Sequence, residues 1–301
     1  MSTGSIVEQS DDRPRTGRGS VDGDVRARLR GMWAAVAPGW EEHAAYADAR
    51  GSKAAEVMLD LTVPLPGERV LELACGPAGL GLAAAERVAP DGEVVLSDIV
   101  AEMTSIASSR AAARGLVNVS TRVLDLEHIE EPDASYDVVL CREGLMFVPD
   151  PAEAAREIGR VLRPGGRFAV AVWGPRERNP WLGIVFDAVS EQTGAPVPPP
   201  GVPGPFSLAD AEALPRLFSE AQFADVSVSE VAVPLRAASF DEWWDRTCAL
   251  AGPVARLLGS MSEEAAGAIC EHARLAAHDY DTPAGLELPG VTLLVAGRRR
   301  P

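Results

Sequence analysis

The sequence has few aromatic residues, few cysteines and no long apolar run. Aromatic residues make up 5% of its 301 residues, and it has four cysteines. No window approaches the roughly 18 consecutive apolar residues of a membrane helix, and the first twenty residues lack the apolar segment of a secretory signal. We therefore expect a soluble, cytoplasmic protein without a membrane partner.

Basic residues are also in short supply. The formal net charge is -16, and no basic stripe is visible, although proteins that bind nucleic acid need one to neutralise phosphates. We therefore expect no nucleic-acid partner or substrate. The cysteines show no CxxC or Cys/His metal spacing, so we expect reduced structural thiols and no metal site. They are Cys75, Cys141, Cys248 and Cys270.

Alternating strand and helix patterns begin near residue 67. Strands that are separated by one helix each return to the same edge of a sheet and pair in parallel. The pattern therefore predicts an α/β fold with a mostly parallel sheet and seven strands. The predicted strands are 68–75, 92–99, 118–126, 135–143, 165–174, 224–235 and 290–299.

Helical segments surround this core. Residues 23–60 have helical periodicity that we expect to break at Pro38 and Gly39, giving two or three helices. Further helices are predicted at 180–193 and 207–223. The helical block 238–282 interrupts the last two strands, so we expect it to form a cap over the ligand edge of the sheet.

The stretch VLELACGPAGLGL, residues 70–82, joins a strand to a helix through a glycine-rich turn. Such a turn directs unpaired backbone N–H groups and a positive helix end toward any ligand at the strand tip. The spacing of Gly76, Gly79 and Gly81 does not match the GxGxxG pattern of dinucleotide-binding proteins. Taken alone, the turn is also compatible with a purely structural connection.

Acidic residues accompany the ends of three predicted strands. Glu72 lies within the first strand, Asp98 ends the second and Asp125 follows the third. They could be three separate solvated acids, but parallel strands bring their carboxyl ends to one edge of the sheet. Three carboxylates without conspicuous Lys or Arg favour a cationic ligand with a ribose diol and no phosphate. S-adenosylmethionine has these properties.

The combined motifs resemble the class I S-adenosylmethionine-dependent methyltransferases. The similar branch contains ubiquinone/menaquinone-biosynthesis C-methyltransferases and bacterial small-molecule methyltransferases. The resemblance covers about 65–175 and a final strand at 290–297. It is carried by VLELACGPAG, VLSDIVAEM, RVLDLE and the long run YDVVLCREGLMFVPDPAEAAREIGRVLRPGGRFAVAVWG.

The resemblance implies a role for each matching residue. The methionine end of the cofactor would contact Glu72 and the backbone of Ala74, Cys75 and Gly76. The ribose would contact Asp98, and the adenine would contact Ile99, Met103, Asp125 and Leu126. The methionine amine and sulfonium would lie beside Cys141, through its backbone carbonyl, and Arg142. The family commonly has glycine at the positions of Ala74 and Ala78, so we expect both alanines at negative φ.

The resemblance also implies a Rossmann-like, doubly wound sheet whose last strand is antiparallel. We expect the chain to be organised as a disordered tail at 1–20, helices over the active site at 21–62, an S-adenosylmethionine-binding core at 63–175, a proline-rich connection with a helix and the sixth strand at 176–236, a helical cap at 237–286 and the final strand at 287–301.

Aromatic residues outside the core pattern are candidates to enclose a methyl acceptor. Methyl transfer needs positioning first, and a base only where a proton is held tightly. His43 is the first candidate base and Glu143 the second. Other candidate acceptor residues are Trp33, Trp40, Tyr46, 144–147, 173–181, Trp243, Trp244, His272, His278 and Tyr280.

The predicted function is methyl transfer to a small apolar or aromatic metabolite, at oxygen, nitrogen or carbon. The alternative is a protein that binds S-adenosylmethionine but catalyses cyclisation or serves as a partner subunit. An NAD(P)-dependent oxidoreductase is the least favoured reading, because the glycine spacing is wrong. The sequence leaves the oligomeric state open, a homodimer included.

Overall fold

A computed structural model describes residues 18–199 and 202–301 of the chain. Within these residues, ten strands form two sheets, of seven and three strands. The strands are β1 (Arg69–Leu73), β2 (Glu93–Asp98), β3 (Val119–Val123), β4 (Tyr136–Arg142), β5 (Leu162–Trp173), β6 (Phe223–Ala232), β7 (Leu235–Ala237), β8 (Asp281–Thr282), β9 (Gly285–Leu288) and β10 (Val291–Arg299).

Helices pack against both the central and the outer strands of the large sheet. Two long helices precede the first strand, and three shorter ones lie between β7 and β8. The helices are α1 (Arg18–Glu42), α2 (Ala44–Thr62), α3 (Gly79–Val88), α4 (Ala101–Ala113), α5 (Pro151–Val161), α6 (Pro180–Thr193), α7 (Ala213–Glu220), α8 (Phe240–Leu250), α9 (Gly252–Gly259) and α10 (Glu263–Ala277).

The large sheet has the strand order β3-β2-β1-β4-β5-β10-β6. β1 pairs in parallel with both β2 and β4, whereas β10 is antiparallel to β5 and β6. The predicted Rossmann-like sheet with an antiparallel last strand is thereby confirmed. The strand order reverses between β1 and β4, which is where doubly wound sheets open a crevice for ligands.

The predicted break at Pro38 and Gly39 is wrong. Helix α1 continues through Pro38 and ends at Glu42, and the single residue His43 separates it from α2. Pro38 removes one helical hydrogen bond and crowds the preceding turn, but it is exposed, so its ring does not collide with another element. Gly39 has a packing function instead, because a Cβ there would overlap the carbonyl oxygen of Ala249 in α8.

The strand predicted over 224–235 is two strands in different sheets. β6 ends at Ala232, and β7 pairs with β9 in the small antiparallel sheet. The chain changes sheet at Val233, whose N–H donates to the carbonyl of Gly290, and at Pro234, which has no N–H to continue the ladder. The segment predicted as a cap therefore contains helices α8 to α10 together with strands of a small sheet that the periodicity did not reveal.

The predicted N-terminal tail overlaps the described residues only at positions 18–20. The tail predicted at 1–20 lies outside the described residues up to position 17, and its last three residues begin α1. Between residue 18 and the C-terminus, apart from residues 200 and 201, none of the helices combines the length and apolar content that a bilayer crossing requires.

Candidate active site

A cleft of about 1290 Å³ opens at the carboxyl ends of the parallel strands. Residues that follow β1, β2, β3 and β4 line its floor, and α1 and α2 supply the opposite wall. Every predicted cofactor-binding residue except Cys141 lines it. These residues are Glu72, Ala74, Cys75, Gly76, Asp98, Ile99, Met103, Asp125, Leu126 and Arg142.

Glu72 is a buried acid that caps a helix from a neighbouring strand. Its side chain faces the start of α3, where Oε2 accepts a hydrogen bond of 2.9 Å from the Gly81 N–H. The first N–H groups of a helix lack partners within the helix, and Ala78 at the N-cap position has no side chain to satisfy them. Burial raises the pKa of Glu72 to about 8, opposed by the nearby Arg142 guanidinium and the Gly81 hydrogen bond.

The turn after β1 corrects the expected backbone conformation. Ala74 and Ala78 lie at φ values of 50° and 66°, and Gly76 at 50°. The expectation of negative φ at both alanines is therefore wrong. Left-handed backbone is costly for residues with a Cβ, and the surrounding structure holds it here: Cys75 N–H donates to Ser97, and Ala78 N–H donates to Cys75.

Asp98 ends β2 and connects it to the turn after β1. Its Oδ2 accepts from the Gly76 N–H and its Oδ1 from the Val100 N–H, each at 3.0 Å. Burial raises the pKa of Asp98 to about 6, while these backbone donors act in the opposite direction. The carboxylate is thus held rigidly at the cleft wall, beside the apolar side chains of Ile99 and Met103.

Asp125 lies after β3 and takes part in an ion-pair cluster with α1. The Arg26 Nε is 3.0 Å from Glu127 Oε2 and 3.4 Å from Asp125 Oδ2. Asp125 also accepts from the Glu127 N–H. A cation nevertheless lies at these strand tips, because α1, which is distant in sequence, brings Arg26 to them.

The end of β4 contributes three consecutive residues of different character. Cys141 is fully buried in the sheet and does not line the cleft; burial raises the pKa of its thiol to about 12. Arg142 lines the cleft and interacts electrostatically with Glu72. Glu143 has φ 62°, and burial raises the pKa of its carboxyl although Arg142 and Arg50 favour the charged form.

A second cavity of about 740 Å³ adjoins the cleft, and eight aromatic side chains line it. It lies between α2, the end of β5, α6 and the helices α8 and α9. Eight residues line both spaces, so the two are contiguous. The shared residues are Trp33, Trp40, Tyr46, Arg50, Glu143, Phe147, Trp173 and Leu250.

The predicted acceptor residues fall into two groups. Trp33, Trp40, Tyr46, Phe147, Trp173, Trp181 and Trp243 line the second cavity. Trp244, Tyr280 and the histidines do not. His272 contacts Glu191 at 2.9 Å and His278 lies 3.7 Å from Asp281, both at the surface of the cap. His43 lies at the junction of α1 and α2 and lines neither space.

Sequence reasoning missed Arg50, which lines both spaces. Its guanidinium carbon is 4.8 Å and 4.0 Å from the ring centroids of Trp173 and Trp181. A signal was available, since Tyr46, Arg50, Ala54 and Met58 recur at four-residue intervals on one face of α2, and Ala54 and Met58 are fully buried. A charged residue on such a face is unusual unless it has a partner or a function.

The side chains of the cleft fit S-adenosylmethionine, the cofactor that the resemblance implies. Glu72, Asp98 and Asp125 offer acceptor oxygens to an ammonium group and a ribose diol, and Ile99 and Met103 offer an apolar surface to an adenine ring. Two of the arginines that line the cleft interact with carboxylates: Arg26 with Asp125 and Glu127, and Arg142 electrostatically with Glu72.

Comparisons with known proteins agree with this assignment. A family model described as a methyltransferase domain matches residues 65–183. The chain is 37% identical over 150 residues to nocamycin O-methyltransferase of Saccharothrix syringae, covering 47% of this chain and 53% of that protein. It is 38% identical over 133 residues to the ubiquinone/menaquinone biosynthesis C-methyltransferase UbiE of Ectopseudomonas mendocina, covering 44% of this chain and 52% of that protein.

The chain thus spans about half the length of the curated relatives it matches. Among solved structures, the YcgJ protein from Bacillus subtilis superposes with a TM-score of 0.56 at 23% identity, covering 82% of this chain and 98% of that one. At this identity the likeness concerns the fold. The resemblance inferred from the motifs is confirmed: residues 65–183 match the model of a methyltransferase domain, and the chain is similar in sequence to an O-methyltransferase and a C-methyltransferase.

Proposed function

We propose that the chain transfers a methyl group from S-adenosylmethionine in the cleft to a small apolar or aromatic metabolite in the second cavity. The observation that carries the proposal is the shared wall: the carboxylate-lined cleft and the aromatic cavity meet at Glu143, Arg50 and Trp173. Two ligands that occupy these spaces would meet end to end, as a group transfer requires.

The chain's contribution is mainly binding and positioning. S-adenosylmethionine carries an already activated methyl group on its sulfonium, so an aligned acceptor in a site closed to water supplies most of the rate. Asp98 is suited to hold the ribose diol, with both of its oxygens fixed by backbone donors. Glu72, which lies in β1 before the glycine-rich turn, is suited to hold the methionine ammonium.

The acceptor would lie against indole and phenyl rings. Trp33 packs edge-on against Phe147 with centroids 4.9 Å apart, and Trp173 against Trp181 at 5.0 Å. Rigid aromatic walls favour a planar apolar body and exclude water from the reacting atoms. The relatives include one named an O-methyltransferase and one named a C-methyltransferase, and the proposal covers both acceptor atoms.

Glu143 is the best-placed group to remove an acceptor proton. It borders both spaces, its backbone has a left-handed conformation, and burial raises the pKa of its carboxyl, as suits a group that must accept a proton. Among the described residues that line the second cavity, it is the one carboxylate. His43, the first candidate from the sequence, borders neither space, so the proposal assigns the role to Glu143.

The test is incubation of the full chain with methyl-labelled S-adenosylmethionine and a metabolite extract of the source organism. Mass spectrometry would locate the added methyl group. We expect one or a few labelled small molecules, and much less label with the Asp98→Ala variant. Cofactor binding without any labelled product would contradict methyl transfer and support the alternative of cyclisation or a partner-subunit role.

A further inference from the structure

The second cavity contains polar donors that have no partner. In the described part of the chain, the Nε and Nη2 atoms of Arg50, the hydroxyl of Tyr46 and the indole N–H of Trp243 are enclosed and make no hydrogen bond. All three side chains line the cavity. Arginine and tryptophan side chains are hydrogen-bond donors only. A ligand that satisfies them must therefore carry acceptor atoms such as oxygen.

The Arg50 guanidinium contacts aromatic rings, but the edge formed by its Nε and Nη2 atoms has no hydrogen-bond partner. The rings of Trp173 and Trp181 contact the guanidinium through cation–π interactions, which satisfy neither Nε nor Nη2 as donors. Together these two atoms form the side of the guanidinium that binds a carboxylate with two parallel hydrogen bonds. A buried donor without a partner is costly, so a position of this kind is uncommon in a purely structural arginine.

The charges around Arg50 leave an excess of positive charge. Burial lowers the pKa of Arg50, Glu143 favours its charged form, and Arg142 and Arg246 oppose it. Arg246 forms an ion pair with Glu242 and stacks on the Tyr46 ring at 3.7 Å. Glu143 is shared between Arg50 and Arg142. An anionic ligand group would relieve this imbalance, whereas an amine would increase it.

We propose that Arg50 binds an acidic oxygen of the methyl acceptor, and that the acceptor is a planar aromatic acid. The aromatic walls take the ring system, and Arg50 with Tyr46 and Trp243 takes the carboxylate or ionised hydroxyl. This inference rests on the proposed function and names its substrate class. Arg50 is then a specificity-determining residue, because a site with unpaired donors rejects analogues that lack the matching oxygen.

The test uses matched probes on the full chain saturated with S-adenosylhomocysteine. The probes are 2-naphthoate, its neutral amide 2-naphthamide, and 2-naphthol at pH values below and above its ionisation. Quenching of tryptophan fluorescence reports binding, since five tryptophans line the cavity. We expect 2-naphthoate to bind roughly tenfold or more tightly than the amide, in keeping with one charge-assisted pair. Preferential binding of ionised naphthol over naphthoate would identify a phenolate as the acidic oxygen.

Variants separate recognition from structure. Arg50→Met should bring the acid-to-amide ratio close to one, and Arg50→Lys, which keeps the charge without the fork, should keep part of it. Arg178→Gln is the matched control, because Arg178 is exposed and pairs with Glu230 away from the cavity. If Arg50→Met does not fold, the Arg50→Lys ratio decides.

Two results overturn the inference: failure of 2-naphthoate and ionised naphthol to bind better than the amide, or an unchanged ratio in the Arg50 variants. Binding of S-adenosylmethionine is measured separately on the same proteins. If the unaltered chain does not bind S-adenosylmethionine, the proposed function is wrong. If it binds S-adenosylmethionine but the acid-to-amide ratio is unchanged in the Arg50 variants, only the role of Arg50 is wrong.

Discussion

The cleft and the second cavity are built in different ways. The cleft consists of residues at successive strand ends, and its principal carboxylates are fixed by backbone donors, as Glu72 is by Gly81 and Asp98 by Gly76. The second cavity is assembled from helices far apart in sequence, and several of its donors are unpaired. This difference is consistent with a cleft that binds one cofactor and a cavity whose unpaired donors would be satisfied by the methyl acceptor that we propose.

The largest expected effect concerns the boundary between the two spaces. Glu143→Gln keeps the size of the side chain and removes the base, so kcat should fall by roughly 100-fold or more where the acceptor must lose a proton. S-adenosylmethionine affinity should change little. Steady-state kinetics on the acceptor found by labelling would measure this. His43→Gln is the control, with kcat near that of the unaltered chain; an equal loss in both variants would restore His43 as the base.

A second change tests the rigidity of the cleft. A Cβ on Gly81 would overlap both Glu72 Oε2 and a methyl group of Leu96, so Gly81→Ala should lower the free energy of unfolding by about 1–3 kcal/mol. Gly267→Ala is the matched control, since Gly267 is an exposed helical glycine with open space around it. Denaturant unfolding should show no loss there. Equal stability of the two variants would contradict the close packing of Glu72 against α3.

The pH dependence should distinguish the cleft from the cavity. Burial raises the pKa of Glu72 from 4.5 to about 8 and that of Asp98 from 3.8 to about 6. Between about pH 4.5 and 8 for Glu72, and between about pH 3.8 and 6 for Asp98, the ligand-free folded chain therefore binds more protons than the unfolded chain. The stability that these protonated carboxyls contribute is lost as pH rises through the two ranges. A cationic ligand favours the ionised carboxylates, so S-adenosylmethionine should bind more tightly with rising pH and release protons.

Calorimetry in buffers of different ionisation enthalpy measures that proton release. Glu72→Gln should remove the part between about pH 6 and 8 and leave the part due to Asp98, whose pKa is about 6. Naphthoate binding in the second cavity should lack this dependence on Glu72. Proton release that is unchanged in Glu72→Gln would show that Glu72 does not ionise on binding.

The smallest effect should come from the helix that closes the cleft. Arg26 is about one third exposed and pairs with Glu127 and Asp125, so Arg26→Gln should weaken S-adenosylmethionine binding by less than about 1 kcal/mol. The loss should shrink with added salt. Titrations at low and high salt, with Arg178→Gln as the control, measure it. A loss that is independent of salt would indicate a role other than charge pairing.

The same contrast explains what the sequence could predict. The strands, and the carboxylates at their tips, follow from local periodicity and from the shared edge of parallel strands. The left-handed Ala74 and Ala78 could not be predicted, because tertiary contacts impose that backbone against the preference of alanine. Arg26 and Arg50 reach the site from helices whose placement depends on packing, and the second sheet depends on the pairing of β7 with the distant β9.

The most direct measurement is a calorimetric titration of three proteins with S-adenosylmethionine: the unaltered chain, Asp98→Ala and Trp181→Phe. Asp98 lines only the cleft and Trp181 only the second cavity. We expect one binding site per chain, an affinity weakened by about 1–3 kcal/mol in Asp98→Ala through loss of charge-assisted hydrogen bonds, and an unchanged affinity in Trp181→Phe. Absence of binding to the unaltered chain, or equal losses in the two variants, would contradict it.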